Sequence, residues 1–226
     1  MPQQRRRRRR RVLAWTLAGG LGAYGMAWLI VSGTILGMSA VARADDSLGH
    51  RAPPLPGVGN FAYVDDRVLR GAAPNAEGYR RLVTLGVRTV VDLRAERLPE
   101  SRLAMPGRAG LTVVRLPVRD GQPPSADQVD RFMAVVKNAR GRVFVHCGAG
   151  VGRTGSMAAA YLVRTGQADA RTATRRSLAV GPPSLEQVAF MRRLDGGRTV
   201  RPPAPVVALS RLADSPRRSW ARLKHP

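Results

Sequence analysis

The chain has 226 residues, 44% of them hydrophobic, which is enough for one ordinary domain with extensions. Its formal net charge of +23 is carried almost wholly by arginine, so the protein should prefer anionic partners. With aromatic residues at only 5% and no zinc-finger spacing, the composition disfavours nucleic acid as that partner.

The amino-terminal segment has the pattern of a membrane anchor. A basic region, residues 1–11, precedes an apolar stretch, 12–42, that contains no charged residue and is long enough as a helix to cross the ~30 Å core of a bilayer. The positive-inside rule keeps the arginines in the cytoplasm and places the rest of the chain across the membrane. Because Ala42-Arg43-Ala44 has the form of a signal-peptidase site, the alternative is a secreted or periplasmic protein cleaved after Ala44. The length of the apolar stretch favours the uncleaved anchor.

Composition divides the remainder into three parts. Residues 43–59 are rich in proline and glycine and predict an extended linker. Residues 60–195 predict the folded domain, and 196–226 form a basic, proline-rich tail in which only 206–223 could make a weak helix.

Strand and helix patterns alternate through the domain and predict an α/β fold with a central, mostly parallel sheet flanked by helices. Two capping boxes, which begin at Ser125 and Ser184, mark helix starts. The predicted strands are 61–64, 68–70, 87–93, 111–116 and 143–145, and the predicted helices are 77–85, 125–136, 154–163, 168–180 and 184–194.

The run from His146 to Gly155 lies where a buried strand meets a helix and has the composition of a phosphate-binding loop. The only cysteine of the chain, Cys147, is followed six positions later by Arg153, with three glycines between them. If the backbone curls, its N–H groups and the helix dipole converge on one point, where they stabilise a thiolate and bind phosphate oxygens. The phosphate-binding residues would be Gly148, Ala149, Gly150, Val151, Gly152 and Arg153.

This Cys-x5-Arg run, which follows a histidine and ends in Thr154-Gly155, resembles the signature of the protein tyrosine phosphatase superfamily, in particular its smaller, bacterial, dual-specificity-like branch. Residues 64–71, 89–94 and 116–120 are similar to that branch as well. The resemblance implies that Cys147 attacks phosphorus to form a cysteinyl-phosphate and that Arg153 binds the phosphoryl group. It also implies that His146 tunes the cysteine and that Thr154 eases thiolate departure. No cofactor is expected, and with one cysteine and three scattered histidines the sequence offers no metal-ligand spacing.

Such hydrolysis needs a proton donor for the leaving oxygen, and an aspartate on a movable loop can serve. Asp120 is the candidate, because it follows Pro117 by a few residues, as the general acid does in the resembling family. Asp127 is the competitor, but it lies at the start of a capped helix, where an acidic residue more often serves the helix dipole. Asp92 and Arg94, at a strand end, are read as supporting the fold.

The sequence favours phosphotyrosine or another monoester as the substrate, on proteins or small molecules. Branches of the superfamily that cleave inositol lipids tend to carry lysine in this loop, and this loop has none. A membrane tether beside a basic surface would nevertheless suit a lipid phosphatase. A non-catalytic phosphate-binding pseudophosphatase is the alternative of a different class, and the oligomeric state stays open.

Overall fold

The computed structural model describes residues 2–48, 52–196 and 201–214. Within them, the helices and strands follow one another as α1 (Pro2–Ala44), β1 (Ala62–Tyr63), β2 (Val68–Ala72), α2 (Ala76–Thr84), β3 (Val87–Arg94), α3 (Glu100–Leu103), α4 (Met105–Arg108), β4 (Thr112–Val118), α5 (Ala126–Asn138), β5 (Arg142–Cys147), α6 (Gly152–Arg164), α7 (Ala170–Val180), α8 (Leu185–Met191) and α9 (Ala204–Ala213).

The strands form one sheet in the order β1-β2-β5-β3-β4. Only the β1–β2 pair is antiparallel, and the other three pairs are parallel. This confirms the predicted fold class, a mostly parallel sheet flanked by helices. Because parallel strands end at the same edge, Cys147 at the end of β5 lies opposite Ala72 at the end of β2.

Helices cover both faces of the sheet, and the buried strand residues alternate between them. Val143 and Val145 of β5 pack into the larger core cluster, whereas Phe144 between them packs into the smaller one. All three side chains are fully buried. A strand that is buried on both faces needs a continuous apolar run, and β5 has one.

The capping boxes at Ser125 and Ser184 are confirmed, because each serine accepts the N–H of the residue three positions on and that residue's side chain accepts the serine N–H. The sequence patterns did not predict the two short helices α3 and α4, which connect β3 to β4.

Part of the stretch expected to be an extended linker is folded onto the domain. Val58 is buried, and the carbonyl oxygens of Gly57 and Gly59 accept the amide hydrogens of Asn75 and Ala72 at 3.0 and 2.7 Å. These bonds attach the chain to the end of β2 and the start of α2. The ordered domain therefore begins before residue 60.

The helix expected over 206–223 corresponds in the structure to α9, which begins at Ala204 and ends at Ala213. Residues 215–223 of that prediction lie outside the described residues. α9 packs against α8, and the Ser210 hydroxyl accepts the amide hydrogen of Glu186 at 3.0 Å.

The long helix α1 both exposes apolar surface and contacts the domain. Residues 18–44 are long and apolar enough to cross a membrane. Leu29 and Ile30 are exposed, whereas Ile35 and Ala42, nearer the helix end, are buried, and α1 packs against α7. The Ser39 hydroxyl donates a 2.7 Å hydrogen bond to a carbonyl of α7.

Candidate active site

The run from His146 to Gly155 spans the end of β5, the loop 148–151 and the first turn of α6. Cys147 is the last residue of β5, and Gly152 is the first residue of α6. The amino terminus of α6 therefore points into the loop and contributes the positive end of its dipole.

Contacts outside the loop hold three of its carbonyl groups. The oxygens of Gly148, Ala149 and Gly150 accept hydrogen bonds at 3.0, 2.9 and 2.8 Å. The donors are, in the same order, the Ala73 amide, Asn60 Nδ2 and Arg70 Nη2. Because the N–H and C=O groups of one peptide unit point in opposite directions, outward carbonyls turn the adjoining amides toward the loop centre.

Gly150 is the position where the curl demands glycine. Its φ of 74° lies in the left-handed region that side chains disfavour. A Cβ there would also collide with the backbone of Gly71 and Ala72 in β2. The loop is therefore pressed directly onto the neighbouring strand, and its shape is fixed from outside.

The nucleophile candidate lies at the base of this loop. Cys147 is buried, and the Gly150 amide donates to its Sγ at 3.3 Å. The sulfur thus accepts a backbone N–H close to the amino terminus of α6.

Arg153, in the first turn of α6, lines the same cavity as Cys147. Its guanidinium is 4% exposed, and its Nη atoms bind Glu96 at 2.8 and 2.9 Å and the Val118 carbonyl at 3.1 Å. Its buried Nε has no hydrogen-bond partner among the described residues. Burial alone would lower the pKa of Arg153, but the hydrogen bond to Glu96 and the negative charges of Cys147, Glu96 and Asp120 raise it above its usual value.

Sequence reasoning missed Glu96, which lies just beyond the end of β3. Burial would raise the pKa of this carboxyl, but the hydrogen bonds and charge of Arg153 lower it, so Glu96 is ionised at neutral pH. It accepts hydrogen bonds from both Nη groups of Arg153. The available signal was the position of Glu96 after β3, a parallel neighbour of β5, because such strand ends share one edge of the sheet.

The structure brings Asp120 to the loop and leaves Asp127 away from it. Asp120 Oδ1 lies 3.3 Å from Arg153 Nη2. Two bonds from the start of α8 hold the segment after it: Ser184 donates to the Gly121 carbonyl at 2.7 Å, and Gln187 donates to the Gln122 carbonyl at 3.0 Å.

The competitor Asp127 pairs instead with Arg131 on the exposed face of α5, at 3.1 Å. It does not line the pocket that contains Cys147.

His146 and Thr154 lie behind the loop, buried and away from the pocket. His146 Nδ1 is 3.1 Å from the Cys147 carbonyl oxygen, and burial lowers the pKa of the imidazole to about 4 against the opposing charge of Asp92. The ring is therefore neutral at physiological pH. The Thr154 hydroxyl has no hydrogen-bond partner among the described residues.

Asp92 and Arg94 form a buried ion pair at 2.9 Å in β3. Neither lines the pocket at Cys147.

Several of the site residues predicted from the sequence lie together around a cavity of about 140 Å³. Cys147, Arg153 and Asp120 line it, together with loop residues and the segment 182–184. Inward amides and a guanidinium group suit an oxyanion such as phosphate, and the carboxyl group adds a group able to exchange protons. No cluster of histidine, cysteine or acidic residues among the described ranges could hold a metal ion.

Comparison with known families gives one match that spans most of the ordered domain. The model of the family described as "DSP-PTPase phosphatase fused to NAD+ Kinase" matches residues 60–193. It covers both the loop and the segment that carries Asp120.

Two curated relatives align over shorter stretches. "Probable NAD kinase 2, chloroplastic" of Oryza sativa is 31% identical over 115 residues, which is 48% of this chain and 12% of the relative. "Tyrosine-protein phosphatase cdc-14" of Caenorhabditis elegans is 38% identical over 78 residues, 34% of this chain and 11% of the relative. The chain thus spans only about a tenth of these relatives.

Among solved structures, TpbA of P. aeruginosa is 26% identical, with a TM-score of 0.50 over 59% of this chain and 80% of TpbA. A TpbA variant in complex with pTyr is 23% identical, with a TM-score of 0.52 over 72% and 94% of the two chains. At 23% identity, the comparison with the pTyr complex shows a similar fold and no more.

The packing of Gly150 predicts that Gly150→Ala weakens binding of inorganic phosphate by more than about tenfold, because the loop must move off β2. Titration calorimetry on the full chain in detergent measures this. Gly148→Ala is the matched control, since a Cβ there meets only Arg153 Nη2, at an ordinary 3.8 Å. Equal phosphate affinity in the two variants would contradict the structural account of the loop.

Proposed function

The chain belongs to the family of DSP-PTPase phosphatases fused to NAD+ kinase, and on that basis we propose that it hydrolyses phosphate monoesters, phosphotyrosine or dual-specificity protein substrates, through a cysteinyl-phosphate intermediate. The observation that carries the proposal is the meeting of Cys147, Arg153 and Asp120 around one small cavity lined by loop residues. That cavity combines a nucleophile, an oxyanion site and a proton donor.

In the first step, the Cys147 thiolate attacks phosphorus while the bond from phosphorus to the ester oxygen breaks. Asp120, protonated, gives its proton to the departing oxygen, so the alcohol or phenol leaves neutral. Loop amides and Arg153 Nε bind the equatorial phosphoryl oxygens as charge spreads in the transition state. The ion pair with Glu96 keeps the arginine plane in place.

In the second step, a water molecule attacks the phosphorus of the cysteinyl-phosphate. Asp120, now a carboxylate, takes a proton from that water, and the sulfur–phosphorus bond breaks. Inorganic phosphate leaves, and the thiolate returns to its position under the Gly150 amide. We assign Thr154 to this departure and His146 to tuning the cysteine through its carbonyl group.

The lining of the cavity supports a protein phosphomonoester over a polyphosphorylated lipid. Gly148, Ala149 and Val151 offer no side-chain cation for a second phosphate, and the flank formed by Pro182 and Pro183 is neutral. The phosphatases of the cdc-14 type named among the relatives also point to protein substrates. The long apolar helix favours inositol lipids as the second candidate, because it would hold the site beside a membrane.

We further propose that α1 is retained as an anchor, with the arginine block in the cytoplasm and the catalytic domain across the membrane. Support comes from the contact of α1 with the domain. The buried Ser39 hydroxyl donates to the Leu178 carbonyl, and Ala42 belongs to the larger core cluster. Cleavage after Ala44 would remove both contacts.

Cys147→Ser should abolish release of phosphate from an aryl phosphate, since oxygen replaces the nucleophilic sulfur.

Asp120→Asn should slow phenyl phosphate hydrolysis by roughly 100-fold or more but affect p-nitrophenyl phosphate less, because p-nitrophenolate leaves without a proton. It should also flatten the alkaline side of the pH profile. Steady-state rates of the full chain in detergent measure both.

Asp127→Asn is the matched control for the acid and should keep wild-type rates. Phosphate binding without turnover in the unmutated chain would instead support a pseudophosphatase. Turnover that survives Cys147→Ser would exclude the cysteinyl-phosphate route.

If the substrate is a protein phosphomonoester, kcat/KM should be at least about tenfold higher for a phosphotyrosine peptide than for phosphatidylinositol phosphate in mixed micelles. The reason is that the loop has no side-chain cation for a second phosphate. Parallel assays with the same enzyme preparation decide the order. A preference for the lipid would assign the protein to lipid dephosphorylation.

Retention of the anchor predicts that the mature protein, extracted from membranes, has an amino terminus upstream of residue 35. Amino-terminal sequencing or intact-mass measurement gives the answer directly. A terminus at Asp45 would show that the signal-peptidase site is used.

A further inference from the structure

A second cavity, of about 310 Å³, lies on another side of the phosphate loop. It shares no lining residue with the cavity at Cys147. Its walls come from β1, β2 and the turn after β1, together with α6 and α7. The mechanism above uses none of its side chains.

Three hydrogen-bond donors at this cavity lack partners. Arg70 Nε, Arg176 Nε and the Ser177 hydroxyl are buried and make no hydrogen bond within the described part of the chain. Arg70 and Ser177 are 4% and 2% exposed, respectively. An unsatisfied buried donor costs about 1–3 kcal/mol, so three around one cavity indicate that a ligand satisfies them.

Two of these side chains, Arg70 and Ser177, approach each other beside Gly155. A methyl group on Gly155 would collide with the Ser177 hydroxyl and lie 3.3 Å from Arg70 Nη2. Arg70 is buried with no carboxylate bonded to it, and burial lowers its pKa to about 10 despite the opposing charge of Cys147. The side chain is therefore a protonated cation that water does not solvate.

The acids that line the cavity do not neutralise this group. Asp65 already accepts hydrogen bonds from Tyr161, Gln167 and two backbone amides. Asp66 is exposed to solvent. Much of the remaining wall is apolar, formed by Ala158, Ala159, Leu162, Ala173 and Val180.

We propose that this cavity binds a small organic anion, a carboxylate with a compact apolar body, through Arg70, Arg176 and Ser177. A carboxylate can accept from two guanidinium groups at once, and a short hydrocarbon or aromatic body matches the aliphatic wall. Binding here is separate from the proposed phosphatase reaction, so either can fail without the other.

Benzoate is the probe, and benzyl alcohol, of similar shape but without charge, is its control. Titration calorimetry on the full chain in detergent micelles measures the heat of binding. Binding to the protein saturates, whereas partition of the probe into detergent does not. The test variant is Arg176→Met, which keeps the length of the side chain and removes the charge. Arg70 is left intact, because its Nη2 supports the Gly150 carbonyl of the phosphate loop at 2.8 Å.

Two further variants locate the binding. Arg171→Met removes an equal charge from the exposed side of α7, and Arg153→Met removes the cation of the phosphate loop. We expect Arg176→Met to weaken benzoate binding about tenfold or more, and both other variants to retain it within about twofold. Thermal unfolding of each variant checks that the chain is folded.

The proposal is overturned if unmutated protein shows no saturable binding of benzoate, if benzyl alcohol binds equally well, or if Arg153→Met removes binding while Arg176→Met does not. Loss of binding in Arg176→Met alone, with its unfolding temperature unchanged, supports it.

Discussion

The phosphate loop is held from outside, and its position decides what the rest of the site can do. Hydrogen bonds hold the carbonyls of Gly148, Ala149 and Gly150 outward. Gly150 lies so close to β2 that no side chain fits at this position. The inward amides that result are fixed before any ligand arrives. Because the donors are already in place, little free energy is needed to reorganise them when a phosphoryl group binds. Such preorganisation is the basis of electrostatic stabilisation of a transition state.

Arg153 connects this cradle to the rest of the site. Glu96 and the Val118 carbonyl fix its Nη groups, and Asp120 approaches one of them at 3.3 Å. Its Nε is buried and makes no hydrogen bond within the described part of the chain. The segment that follows Asp120 is bonded to the start of α8, which holds this carboxyl group near Arg153.

Helix α7 contacts the amino-terminal helix and also lines the second cavity. One side of α7 receives the end of α1, through the bond from Ser39 to Leu178, and another part contributes Arg176 and Ser177 to the second cavity. Arg70 then links that cavity to the Gly150 carbonyl. Residues remote from the phosphate cavity are thus joined to its loop through two elements, α7 and β2.

The sequence by itself determined which residues form the loop, since Cys147, the glycines and Arg153 lie within seven consecutive positions. It also predicted the strands and most helices, because periodicity and capping are properties of short segments. Only the tertiary structure decided that Glu96 and Arg70 support the loop, that Asp120 rather than Asp127 reaches it, and that residues 57–59 join the domain. Those contacts join segments distant along the chain, and the order of the parallel strands, which no local pattern encodes, brings them together.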